Sequence, residues 1–234
     1  MVSYNRLKQR NAWDDPTPAY SDNPYWTRFK NYQNDIRNRV YGNIGASINP
    51  LPWVTLQGKI YLDYYNLREM ERVAIGSQAE PSYYEGLREN VEVNSELLAT
   101  ANKAITDKID LIVNAGVNFR NNKYNSNLGQ SKGGLVIPEL YVLTNSVFKP
   151  DVTDYQRQKK INSVFGSVSL GFADMVFLDA TLRNDWSSSL SKETRSYMYP
   201  SLTGSFVFSE LKFLEDQDIL SYGKIRVGWA QTGN

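Results

Sequence analysis

The feature that most constrains this chain is a side-chain period of two. Between Ile109 and Arg120 the odd positions Ile109, Leu111, Val113, Ala115, Val117 and Phe119 are all apolar. The even positions, Ile112 apart, are Asp110, Asn114, Gly116, Asn118 and Arg120. Successive side chains of an extended strand point to opposite faces, so the pattern describes a strand with one apolar and one polar face. The same alternation fills Val54–Tyr64, Asn90–Ala101 and Val176–Asp185. In weaker form it fills Val40–Ile48, Asn162–Phe172, Met198–Phe208 and Lys224–Ala230. The chain is therefore expected to be all-β, an antiparallel sheet of about eight strands, most of about 9–13 residues. Soluble strands usually run about 5–6 residues and membrane strands about 9–11, so these lengths favour a membrane.

The connections sharpen this. Asn49-Pro50-Leu51-Pro52 and Ala173-Asp174-Met175 are tight, whereas residues 66–89, 121–159 and 187–197 are longer, polar and rich in Gly, Asn, Ser and Tyr. Short and long connections alternate up to Phe208, as in outer-membrane barrels with tight periplasmic turns and long extracellular loops. After Phe208, Ser209-Glu210-Leu211-Lys212 is expected to open a short periplasmic helix reaching Tyr222. Ser209 would be its cap, with Leu211, Leu214 and Leu220 on one apolar side. On the apolar parity, Phe172, Phe206 and Phe208 mark inner strand ends, and Tyr64, Phe119 and Trp186 mark outer ends, where interfacial aromatic belts lie.

Composition prunes the chemistry. The mean hydropathy of −0.49 suits a barrel, in which only every second residue meets lipid, and not a bundle of spanning helices. Lys and Arg number 26 against 25 Asp and Glu, so no nucleic acid or other polyanionic partner is expected. The chain has no Cys and no His. That removes disulfides, thiol nucleophiles, a Ser-His-Asp triad and His-based metal clusters, so no catalytic residue, metal or cofactor is expected. Met1-Val2-Ser3-Tyr4 lacks the charged-then-apolar order of a signal peptide. An exported protein would need an N-terminal part beyond this chain.

Specific motifs appear towards the C-terminus. Leu182-Arg183-Asn184-Asp185-Trp186-Ser187-Ser188 is followed by Tyr199-Pro200-Ser201, then by Ser209-Glu210-Leu211-Lys212-Phe213. The chain closes on Lys224-Ile225-Arg226 and Gln231-Thr232-Gly233-Asn234. Near the start stand Asn23-Pro24-Tyr25-Trp26, then Asp35, Arg37 and Arg39. This order resembles the barrel domain of SusC/RagA-type TonB-dependent (TonB-linked) outer-membrane receptors. Phe206 stands where the family often has Trp, and Leu211 where it often has a second acidic residue. The resemblance implies a section of a larger barrel of about 22 strands, with residues 1–234 forming a partial barrel domain and the plug lying elsewhere. It further implies uptake of glycan oligomers or peptides across the outer membrane of a Gram-negative, Bacteroidota-like bacterium. The implied partners are a SusD-like surface lipoprotein, the TonB complex through an N-terminal part, and outer-membrane lipid.

Candidate contacts follow. Tyr83 and Tyr84, placed in the 66–89 loop, offer flat apolar faces for a sugar ring, or simply pack the loop. Arg120, Arg183 and Asp185 are substrate-contact candidates on the polar face, where Lys59, Asp63, Glu92 and Glu96 are expected to line the lumen. Such charges also serve as wall salt bridges. Gly129-Gln130-Ser131-Lys132-Gly133-Gly134 lacks the order of a phosphate loop, and Asp216-Gln217-Asp218 lacks the rest of a calcium loop. Two alternatives stay open: a self-contained eight-strand outer-membrane barrel with a structural role, and a soluble glycan-binding β-sandwich.

Overall fold

A computed structural model of the protein describes residues 22–211 and 221–232. Eight antiparallel strands form one sheet in sequence order: β1 (Tyr32–Leu51), β2 (Val54–Val73), β3 (Ser82–Thr106), β4 (Ile109–Leu135), β5 (Ser146–Phe172), β6 (Val176–Ser187), β7 (Ser196–Val207) and β8 (Lys224–Ala230). One α-helix, α1 (Pro24–Lys30), precedes them. No helix among the described residues is long and apolar enough to cross a membrane, which says nothing of strands. β1 and β8 are the two edges of the sheet.

Pairing confirms the faces read from alternation. In β5–β6 the partners include Val164↔Asn184, Gly166↔Leu182, Val168↔Ala180, Leu170↔Leu178 and Phe172↔Val176. β7 adds Leu202 opposite Ala180 and Phe206 opposite Val176. β8 adds Trp229, Val227 and Ile225. Directly opposed residues share a face, so these form one apolar surface four strands wide. It is largely uncovered: Ala180 and Phe206 are half-buried, but its exposed large apolar side chains run from 40 % at Leu170 to 73 % at Val227. A soluble sandwich would bury such a face under a second layer; among the described residues there is a single sheet. The buried set is correspondingly inverted, with Asn118, Ser126, Ser131, Ser163 and Ser205 buried and few large apolar side chains beside them.

The strands differ from the expected lengths. β6 and β7 have 12 residues each, but β1 and β2 have 20, β3 has 25, and β4 and β5 have 27. Most of residues 66–89 and 121–159, expected as loops, are therefore strand, and the connections shrink to 74–81 and 136–145. The alternation was a poor guide there because both faces of these outer stretches are polar. Backbone pairing and cross-strand side-chain contacts hold them without an apolar face. The first turn is Pro52-Trp53 alone, with Asn49 and Pro50 still in β1. The Ala173-Asp174-Met175 turn is as expected, with φ of 52° at Ala173 and 56° at Asp174. Most of the helix expected to follow Ser209, including Leu214 and Leu220, lies outside the described residues, as do Asp216-Gln217-Asp218, Gly233 and Asn234. Phe208–Glu210 make a single 3-10 turn instead of placing Ser209 as a cap.

The chain divides into two compact units. One comprises Met1–Val40, Asp63–Val91 and Lys123–Arg157; the other comprises Tyr41–Leu62, Glu92–Asn122 and Gln158–Asn234. In the first, α1 is a clip. The Asn23 side chain accepts from Tyr25 N–H at 3.0 Å and Pro24 fills the first turn, an N-terminal arrangement that costs no backbone donor. Trp26 is buried and donates Nε1–H to Ser77 Oγ at 3.0 Å. Asn31 accepts from Ala74 N–H and donates to Ser77 Oγ. The Asn23-Pro24-Tyr25-Trp26 motif thus fastens the 74–81 connection. The 136–145 connection folds around Asn145, whose amide donates to the Ile137 and Leu140 carbonyls and accepts from Ile137 N–H.

Candidate functional site: the polar face

Each strand presents its polar parity on the side opposite the apolar surface, and there side chains are joined across strands. In the second unit, Thr100 Oγ1 donates to Asn114 Oδ1 at 2.7 Å, and Asn114 Nδ2 donates to Ser167 Oγ at 3.0 Å, linking β3, β4 and β5. Asn118 donates to Asn94 at 2.8 Å. Arg120 meets Glu92 at 2.7 Å, and Asn122 donates to the same carboxylate oxygen. Arg183 bonds Asp185 at 2.7 Å and Ser163 Oγ at 2.9 Å, with its guanidinium 5.7 Å from the Phe165 ring centre. Gly116 stands under that ring, where a Cβ would collide with it.

Five of the seven polar-face charges singled out from the sequence are thus ion-paired: Asp63 with Arg39, by two bonds of 2.7 and 2.8 Å, Glu92 with Arg120, and Asp185 with Arg183. Lys59 reaches over Gly45 of β1, and Glu96 shares the polar parity of β3 with Glu92. Tyr83 and Tyr84 are not loop residues; both lie in β3. Tyr83 is buried, and its N–H donates to Ser131 Oγ at 2.8 Å. Burial, with the Glu85 charge behind it, pushes its phenol above the usual range. Tyr84 has the polar parity, and its hydroxyl accepts from Arg88 at 3.3 Å.

The first unit carries polar-face residues that sequence reasoning missed. Arg88 pairs with Glu69 at 3.0 Å, and Arg37 lies 4.4 Å from the Tyr65 ring centre. Arg157 lies 5.6 Å from the Tyr124 ring centre, and Tyr155 is 6.2 Å from the same ring. A signal existed: each keeps the polar parity of its strand, carried outward past the last apolar residue. This surface alternates planar aromatic rings, guanidinium groups and carboxylates, a set suited to stacking and hydrogen bonding with a polar ligand.

No family model matches the chain. A TonB-dependent receptor SusC from Bacteroides thetaiotaomicron is 35 % identical over 81 residues, which is 35 % of this chain and 8 % of that protein. TonB-dependent receptor P26 from Formosa agariphila is 28 % identical over 91 residues, 39 % of this chain and 9 % of that protein. Among solved structures, that of the RagAB peptide transporter superposes with a TM-score of 0.82 at 21 % identity, covering 92 % of this chain and 25 % of that one. A second RagAB structure, the peptide importer in a closed-closed state, gives 0.78 at 22 % identity. This chain therefore matches about a quarter of the solved chains and less than a tenth of the curated relatives. Relatives and neighbours are named as receptors, a transporter and an importer. The resemblance read from the motifs is borne out: curated relatives of this chain are named TonB-dependent receptors, SusC among them, and its fold is that of about a quarter of the RagAB chain it superposes on.

Proposed function

We propose that the chain forms part of the wall of an outer-membrane importer that takes up glycan oligomers or peptides and does no covalent chemistry. The observation that carries this is the two-sidedness of the sheet. One face is apolar, continuous from β5 to β8 and uncovered; the other is a network of charges, amides and aromatic rings. A bilayer on the first side and a water-filled lumen on the second satisfy both faces. On this reading Tyr84, Arg120, Arg183 and Asp185 face passing substrate, and Lys59, Asp63, Glu92 and Glu96 line the lumen. Tyr83, buried in β3, supports Tyr84 from behind the surface. The RagAB structures pair a receptor of this type with a second component, which supports a SusD-like lipoprotein over the extracellular end. Energy from TonB enters through a part of the receptor outside this chain.

Topology tests the proposal. An epitope inserted within 136–145 is expected to be reached by antibody on intact cells, and one between Pro52 and Trp53 only after the outer membrane is opened. The reverse would overturn the orientation. The open edges test the barrel size. With Ile44→Cys and Val227→Cys in the full receptor, no intramolecular disulfide is expected, because other strands stand between β1 and β8. Efficient crosslinking would favour a closed eight-strand barrel.

A further inference from the structure

At one end of β5 and β6, Lys160, Asn162, Trp186, Ser187, Ser188 and Arg195 line a cavity of about 390 Å³. The β5–β6 ladder continues past its last strand pair: Ser188 N–H donates to the Lys160 carbonyl, and Lys160 N–H donates to Ser188 Oγ, both at 2.8 Å. Lys160 therefore stands opposite Ser188, next to the pair Asn162↔Trp186. By parity these four residues share the face of Val164, Leu182 and Leu202. Arg195 is held beside them through Ser187 N–H, which donates to its carbonyl at 3.1 Å. Neither Lys160 nor Arg195 has an ion-pair partner among the described residues. Two unneutralised cations thus stand at the margin of an apolar surface, although every strand offers a polar face behind them.

A second cavity, of about 540 Å³, begins where the first ends. Trp186 lines both. The lining of this second cavity includes Val164, Gly166, Val168, Ala180 and Leu182. Gly166↔Leu182 and Val168↔Ala180 are directly opposed. The small residues Gly166 and Ala180 lower the floor between larger neighbours, which makes a trough running down the apolar face away from the cations.

We infer that this pair of cavities is a binding site for a phosphorylated membrane lipid in the leaflet that meets the 188–195 loop. Lys160 and Arg195 take the phosphate, Ser188 supplies a hydroxyl, Trp186 sits at the headgroup boundary, and one acyl chain lies in the trough. Ammonium and guanidinium groups are strong phosphate donors. Trp favours the boundary between headgroup and hydrocarbon, and basic pockets on membrane proteins hold anionic headgroups. A free phosphate would use the upper cavity only. The continuous apolar trough is what commits the site to a lipid.

The site rests on the wall reading, since it needs the apolar face in a bilayer. The test uses the full receptor in detergent micelles, with phosphatidylglycerol or phosphatidylcholine carrying brominated acyl chains as quenchers of Trp fluorescence. The Trp186 contribution is isolated by difference from a Trp186→Phe variant. Stronger quenching of Trp186 by the anionic lipid is expected. Lys160→Gln and Arg195→Gln should each weaken that preference roughly fivefold, while heat-modifiable migration on gels shows the barrel intact. Equal quenching by the two lipids, or an unchanged preference in the double variant, would overturn the site and leave the wall reading standing. Displacement of the anionic lipid by an equal concentration of inorganic phosphate would also overturn it, in favour of a soluble-anion site. A full receptor that fails to insert into the outer membrane would defeat the wall reading and the site together.

Discussion

The two compact units of the chain contain stretches of the same strands, yet they are built on different physics. In the unit containing Tyr41–Leu62, Glu92–Asn122 and Gln158–Asn234, strand residues alternate apolar and polar with few exceptions. In the unit containing Asp63–Val91 and Lys123–Arg157, β4 continues through Lys123-Tyr124-Asn125-Ser126-Asn127 with no apolar face at all. On the wall reading proposed above, a membrane strand needs only about 9–11 residues, so 27 residues in β4 leave more than half of it with no bilayer to meet. Strand structure there is paid for by ladder hydrogen bonds and by pairs such as Arg88–Glu69 and Lys132–Asp151. Alternation is thus a record of solvent on each face, not a requirement for being a strand.

The largest effect is expected at the clip. Trp26→Ala should cost the local structure about 3–5 kcal/mol, the usual range for removing a buried large aromatic side chain. Hydrogen exchange should show loss of protection over 74–81 and little change in β6–β8. If protection fell equally in both units, they would not be energetically separable. Next, Val113→Arg places a charge on the apolar parity of β4 and should cost roughly 2–4 kcal/mol near the bilayer midplane. This is measurable by denaturant titration of the full receptor in liposomes. Asn114→Arg, on the opposite face, should cost much less.

A milder cost, about 1 kcal/mol, is expected for Asn114→Ala, which breaks the bonds to Thr100 and Ser167. No change at all would mean that lumen water replaces both bonds. The smallest effect sharpens the contrast most. Asn125→Arg lies on the same parity of β4 as Val113 but in the other unit, and it is exposed. It should stay within about 0.5 kcal/mol of the parent. A penalty matching that of Val113→Arg would show that hydrocarbon reaches this far and would undo the comparison.

Much of the part with an apolar face was legible in the residues. The bounds of β8, Lys224–Ala230, came directly from its alternation, the starts of β2, β4 and β6 matched, and the apolar parity of β5 to β8 held throughout. The polar-face candidates were legible only as a parity. Which arginines would pair with Asp63 and Glu92 was not, because those partners are 24 and 28 positions away. Tyr83 and Tyr84 were misplaced into a loop for the same reason that β2 and β3 were cut short: polar residues on both faces look like a loop when solvent is the only clue.

By itself, then, the sequence determined which residues share a face and where the Ala173-Asp174-Met175 turn falls, since a period of two and a turn's conformational demands are local. Only the tertiary structure decided how far each strand extends, because a strand in water is held by its neighbour's backbone, which one strand's residues do not encode. It also decided that Asn23-Pro24-Tyr25-Trp26 fastens a distant connection and that Gly116 makes room for Phe165. Likewise, only the structure joined Lys160, Trp186 and Arg195 at one margin of the apolar face, because the register between strands brings them together.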